Sequence, residues 1–76
     1  MKNKSPDLAI LIGEKIRKYR HICEMSQETL AEKTGLHRTY IGSCERGQRN
    51  ITILTLSIIC QALDIDLATF FLDDLK

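Results

Sequence analysis

The stretch SQETLAEKTGLHRTYIGSCERGQRNIT, residues 26–52, carries the signals that decide the fold. Ser26 stands before a run of helix formers, as an N-cap should, and Gln27 and Glu28 fill the first turn. Position 29 is Thr, so the acid of a capping box is lacking, but the charge of Glu28 suits the positive end of the helix dipole. Leu30, Ala31 and Thr34 fall on an inward face, and Gly35 ends the helix as a left-handed cap. A short helix is expected next, from about Arg38 to Arg46, with Ile41 and Cys44 turned to the core and Gly47 at its end. Helix, glycine-containing turn and short helix form the helix-turn-helix arrangement. The intervals support it. Small Ala31 lets the next helix cross closely, Gly35 supplies the positive φ of the tight turn, and Ile41 plugs between the two helices.

Helical signals continue on both sides. Upstream, Pro6-Asp7 opens a first helix with Ser5 as its N-cap. Leu8, Leu11, Ile12, Ile16, Tyr19 and Cys23 recur on one face, and Lys15, Arg17 and Lys18 are expected largely on the other. Glu24-Met25 breaks the pattern. Downstream, Thr52 caps a fourth helix over about Ile53 to Leu63, and Asp66 caps a short fifth one through Phe71. Neither repeats, nor a linker, nor strand alternation interrupts this series. The expected class is all-α with five helices.

Composition sets the bounds. A chain of 76 residues is one domain, with little core to bury alone. Hydrophobic residues make up 43% and charged residues 28%, which excludes a disordered tail. The net charge of +1 hides a segregation. Residues 1–50 hold ten Lys/Arg against six Asp/Glu, whereas residues 51–76 hold one Lys and four Asp. A basic first part suits an anionic partner; an acidic, greasy second part suits packing. Cys23, Cys44 and Cys60 lie far apart without a CxxC, which fits a reducing cytoplasm. No apolar run is long enough for a bilayer, so no membrane association is expected. His21 and Cys23 form a lone HxC, so no metal or other cofactor is expected, and no small-molecule ligand is evident. An enzyme is disfavoured: Cys44 and Cys60 fall on core faces, and the chain has no glycine-rich phosphate loop.

The segment 26–52 resembles the Cro/repressor (Xre-type) helix-turn-helix family. Within it, RTYIGSCERGQRNIT is similar to the controller proteins of bacterial restriction–modification systems, and the likeness spans about residues 10–72. ALDIDLATFF, residues 62–71, is similar to the family's closing helix. There are departures. Glu24 stands where the family often has Gly, which puts it in a left-handed position. His37 replaces a Ser or Asp cap, and Cys44 replaces a larger aliphatic. The resemblance implies a compact repressor-like domain that binds double-stranded operator DNA.

In that arrangement the second helix of the motif enters the major groove with its N-terminal side chains at base edges. Arg38, Thr39 and Ser43 are then the expected base-reading face, with Tyr40 at its flank. Arg38 suits guanine O6 and N7, and Thr39 a thymine methyl. The resemblance implies that Gln27 and the first-turn N–H groups of its helix clamp a phosphate. Arg49 and Asn50 are expected to reach the backbone on the other side, with Arg46 and Lys33 as auxiliary contacts; Arg17 and Lys18 are equally well solvated. The resemblance also implies a structural ion pair between Arg20 and Glu45.

The fourth helix is apolar nearly all round. Ile53, Leu56, Ile59, Cys60 and Leu63 are expected to face the core, with Leu54, Ile58 and Ala62 on a second side. A monomer of this size cannot bury both sides, so a homodimer is expected. Its interface would draw on Leu54, Ile58, Ile65, Leu67, Phe70 and Phe71, in a dimerisation region over about 51–76. One of the two phenylalanines is expected in the core. A two-fold dimer reads a pseudo-palindrome. By resemblance, one or two dimers would load on an operator to activate and then repress. A phage Cro-like repressor, an antitoxin and a protein-binding module of the same fold are the alternatives.

Overall fold

The computed structural model describes residues 5–72. They form five helices: α1 (Ser5–Ile22), α2 (Gln27–Thr34), α3 (Arg38–Glu45), α4 (Ile53–Ala62) and α5 (Leu67–Leu72). No strand occurs among the described residues. The helix ends obey the chemistry of their caps. Ser26 Oγ accepts from Thr29 N–H at 3.0 Å, Thr52 Oγ1 from Thr55 N–H at 3.1 Å, and Asp66 Oδ1 from Thr69 N–H at 2.7 Å. The hydrogen bonds from Thr69 hold the exposed Asp66 carboxyl below its ordinary value, since they favour the charged form. Gly35 ends α2 at φ 76°, and its N–H donates to Ala31 C=O at 2.9 Å. Glu24 stands at φ 56°, as its place in the sequence led one to expect, and Asp64 at φ 60°. Ser5 is the first residue of α1, and its expected role as a side-chain cap lies outside the described side chains.

One core gathers all five helices. Ile16, Leu30, Ile41, Ile59 and Phe70 are fully buried at its centre, with Ala31, Cys44, Leu56, Cys60 and Leu63 around them. α1 packs chiefly on α3, α2 on α3 and α4, and α4 on α5. The tilted contact of Phe70 with Tyr19, centroids 5.9 Å apart, joins α5 to α1, and within α5 Phe70 meets Phe71 edge to face at 5.2 Å. Phe70 is therefore core, which removes it from the expected dimer interface.

Three other expectations are corrected. Lys15 is only 4% exposed: it lies on the Ile12–Tyr19 side of α1, with its ammonium 5.8 Å from the Tyr19 ring centroid and 5.5 Å from that of Phe70. Leu8 and Leu11 are exposed, although their spacing is right. They sit on the first two turns of α1. Ile53, the first residue of α4, is exposed too.

The tightest approach is at Gly13. A Cβ there would lie on the carbonyl oxygen of Cys44 and 2.7 Å from that of Glu45. Both obstacles are backbone, so neither can rotate away, and the bare glycine lets α1 cross the end of α3. Gly13→Ala is predicted to destabilise the fold by about 2–3 kcal/mol through overpacking. Urea unfolding would read this as a lowered midpoint at unchanged slope.

Candidate nucleic-acid interface

The end of α3 is fixed by one carboxylate. Arg20 Nε donates to Glu45 Oε2 at 2.6 Å and Nη2 donates to Oε1 at 2.9 Å. The side chains are 10% and 4% exposed. The third guanidinium nitrogen, Nη1, donates to the Met25 carbonyl at 2.8 Å, and Gln27 Nε2 donates to Glu45 Oε1 at 3.1 Å. The Arg20–Glu45 pair expected from the resemblance is thus present as a bidentate bridge, with further hydrogen bonds from Arg20 to Met25 and from Gln27 to Glu45. It joins the end of α1, the α1–α2 turn and the start of α2 to the end of α3. Gln27 keeps a second amide hydrogen beyond the one given to Glu45.

α3 begins without a side-chain cap. His37 has extended backbone, φ −78° and ψ 143°, and makes no capping hydrogen bond, as the loss of Ser or Asp there implies. Arg38 and Thr39 are exposed on its first turn. Arg38 Nε is 3.8 Å from Glu28 Oε2, and both side chains are well solvated, so this pair contributes little. The sequence reading missed it; Glu28 and Arg38 are ten residues apart and meet only through the turn.

Ser43 is not on the outward face. It is 6% exposed, its Oγ donates to the Tyr40 carbonyl at 2.8 Å and accepts from Arg49 Nε at 3.0 Å. A hydroxyl so placed cannot meet a base edge, and its assignment as a reader is withdrawn. Tyr40 is half-buried. Burial raises the pKa of its hydroxyl; the hydrogen bond with Cys44 adds to this, while Arg49 and a hydrogen bond with Thr55 oppose it. Burial likewise pushes the Cys44 thiol up and that of Cys60 to about 11.

Past Gly47, at φ 76° with Ile10 of α1 against it, the chain turns so that Arg49 and Asn50 are exposed. The Arg49 guanidinium carbon lies 5.3 Å from the Tyr40 ring centroid. Arg46 is exposed and donates from Nε to Gln48 Oε1 at 3.2 Å. Lys33 instead borders a surface recess with Ile58, Gln61 and Ala62, on the flank of α4. On α4 itself Leu54 is 74% and Ile58 43% exposed, one helical turn apart. Ile65, Leu67 and Phe71 are half-buried against the core. Among the described residues no group of His, Cys, Asp and Glu could hold a metal ion.

An exposed short helix, crossed by a capped partner helix and flanked by exposed arginines, defines a helix-turn-helix DNA-binding domain, and the helix-turn-helix family model HTH_3 matches residues 16–70. Control protein C.SmaI of Serratia marcescens is 53% identical over 58 residues, covering 76% of this chain and 69% of that protein; control protein C.MunI of a Mycoplasma is 38% identical over 68, covering 88% and 92%. The chain belongs to the helix-turn-helix family and, within it, to the controller proteins of restriction–modification systems. Solved structures agree. The controller C.AhdI from Aeromonas hydrophila superposes with a TM-score of 0.79 at 40% identity, covering 83% of this chain and 96% of its own. C.Esp1396I, solved as a tetramer in complex with its natural 35 base-pair operator, gives 0.83 at 38% identity, covering 90% of each chain.

Removing one member of the buried bridge leaves the other charge without its partner. Glu45→Ala and Arg20→Ala are each predicted to cost about 3–5 kcal/mol of stability. The double change Arg20→Met with Glu45→Leu should cost less than the sum of the two truncations. Denaturant midpoints of the four proteins test this; additive losses would exclude a coupled bridge.

Proposed function

We propose that this chain is a homodimeric, sequence-specific transcriptional regulator, the controller of a restriction–modification system, which acts on pseudo-palindromic operators. The observation that carries the reading is the first turn of α3, where Arg38 and Thr39 stand exposed on a helix whose opposite face is locked into the core. An arginine free to donate two bonds suits guanine, and the Thr39 methyl suits thymine. Gln27 with the start of α2 on one side, and Arg49, Asn50 and Arg46 on the other, supply phosphate contacts that fix register.

Homodimerisation follows from α4. Leu54 and Ile58 form an apolar patch that a second copy would cover, with Ile65, Leu67 and Phe71 as its half-buried border. The chain then works as one domain over 1–76, with a dimerisation region over about 51–76 that shares its core with the reading helix. A two-fold axis sets the reading helices about one DNA turn apart, ~34 Å. Loading of a second dimer would convert activation into repression. The tetramer of C.Esp1396I on its operator supports that arrangement. The DNA partner and the three free cysteines favour the cytoplasm. No helix of the described residues is long and apolar enough to cross a membrane.

Operators selected from random duplexes give the test. Affinity should fall steeply with salt, with a slope set by the number of phosphates neutralised. Arg38→Ala should reduce discrimination between operator and mixed sequence by about 1–3 kcal/mol, with little effect on non-specific binding. Equal weakening on all duplexes would make Arg38 a phosphate contact only. Ile58→Glu should sediment as a monomer and bind the operator more weakly; an unchanged dimer would move the interface elsewhere.

A further inference from the structure

Gly42 stands in the middle of α3, and neither the fold nor the reading above gives it a task. A glycine weakens a helix interior, and α3 has only eight residues to spread the loss over. The backbone does not ask for it, since the glycines at positive φ are Gly35 and Gly47. The backbone approach that explains Gly13 is missing too. The three atoms nearest to a Cβ at position 42 all belong to side chains: Arg46 Nη1 at 3.2 Å, Gln27 Oε1 at 3.5 Å and Gln27 Cδ at 3.9 Å. The room left by the absent side chain is therefore taken by the tips of two long ones, from the start of α2 and from the residue that closes α3. Each tip is aimed by a second bond. Gln27 Nε2 donates to Glu45 Oε1 at 3.1 Å, which leaves Oε1 turned to Gly42. Arg46 Nε donates to Gln48 Oε1 at 3.2 Å. Arg46 lies four residues after Gly42, so its side chain leans back over the bare position. Gly42 is buried and Arg46 exposed, as a floor and its cover should be.

We propose that Gly42 is a positioning residue, whose missing side chain seats Gln27 and Arg46 together over the middle of α3, so that they meet DNA as one coupled pair. This rests on the DNA-binding reading given above, and it moves Arg46 from the side of Arg49 to the side of Gln27. A side chain at 42 would hold the two tips apart. Stability is forgone at the centre of α3, and two side chains from different helices gain a common place.

Gly42→Ala separates folding from binding. The neighbours of the new methyl are the ends of flexible side chains, which can give way. The urea midpoint should therefore rise through helix propensity. Binding to a DNA duplex should nevertheless weaken several-fold, a loss that unfolding cannot explain. A lowered midpoint would overturn the assignment, because only neighbours unable to move would resist the methyl. Binding that is unchanged or tighter would overturn it as well.

The coupling is read in a second background. Arg46→Ala should weaken duplex binding and reduce the salt slope by about one. On top of it Gly42→Ala should bring no further loss, and Gln27→Ala should lose less than it does in the parent protein. An equal Gly42→Ala loss with and without Arg46, or additive losses at 27 and 46, would overturn the pair. The seat itself shows without DNA. In NMR spectra of the whole chain the Gly42 Hα protons should cross-relax with the side chains of Gln27 and Arg46, and the absence of both signals would overturn the seat. A parent protein that shows these signals yet binds no duplex would remove the DNA reading, and the paired contact with it, while the seat stands.

Discussion

The Glu45 carboxylate is the point on which the interface hangs. It sits at the last residue of α3 and takes three hydrogen bonds, two from Arg20 and one from Gln27. Arg20 also satisfies the Met25 carbonyl, so the turn between α1 and α2 is held by the same guanidinium. A charge pair with so little exposure cannot be justified as a gain in stability, because desolvation consumes most of the Coulomb attraction. Its value is geometric. An apolar side chain at position 45 would be content with several crossing angles, whereas a planar fork on a planar carboxylate accepts one. The angle thus fixed sets where Arg38 and Thr39 stand relative to Gln27.

Gly13 works with that bridge. It lies on α1, two turns before Arg20, against the carbonyls of Cys44 and Glu45. The absent side chain at 13 sets how close the helices come, and the bridge sets their rotation. Neither constraint is near the first turn of α3, yet both determine its aim. At the other end, Gly47 and Ile10 bring residues 49 and 50 round to the same side.

The parts of the fold that were legible in the sequence are those whose physics is local. Ser26, Thr52 and Asp66 cap because a short oxygen-bearing side chain satisfies an N–H three residues on. Gly35 and Glu24 turn where the chain must take a positive φ. What escaped was decided by neighbours distant in sequence. Ser43 follows the outward spacing of α3, but the loop after Gly47 folds back and Arg49 closes over it. Lys15 was assigned by its charge to the solvent side, although Tyr19 and Phe70 offer its ammonium two aromatic faces. Leu8 and Leu11 keep the period of a buried face yet stay exposed.

The brevity of α3 has a consequence for how such a protein can change. Eight residues are too few to hold a helix in water by propensity alone, and His37 adds no cap to help. The helix exists because Ile41, Cys44 and Glu45 are bound to the rest of the molecule. Its exposed first turn contributes almost nothing to that, so on the proposed reading substitutions at 38 and 39 would alter what is recognised without threatening the scaffold. Recognition is thereby uncoupled from folding, and a lineage can drift to a new target sequence through variants that all remain folded.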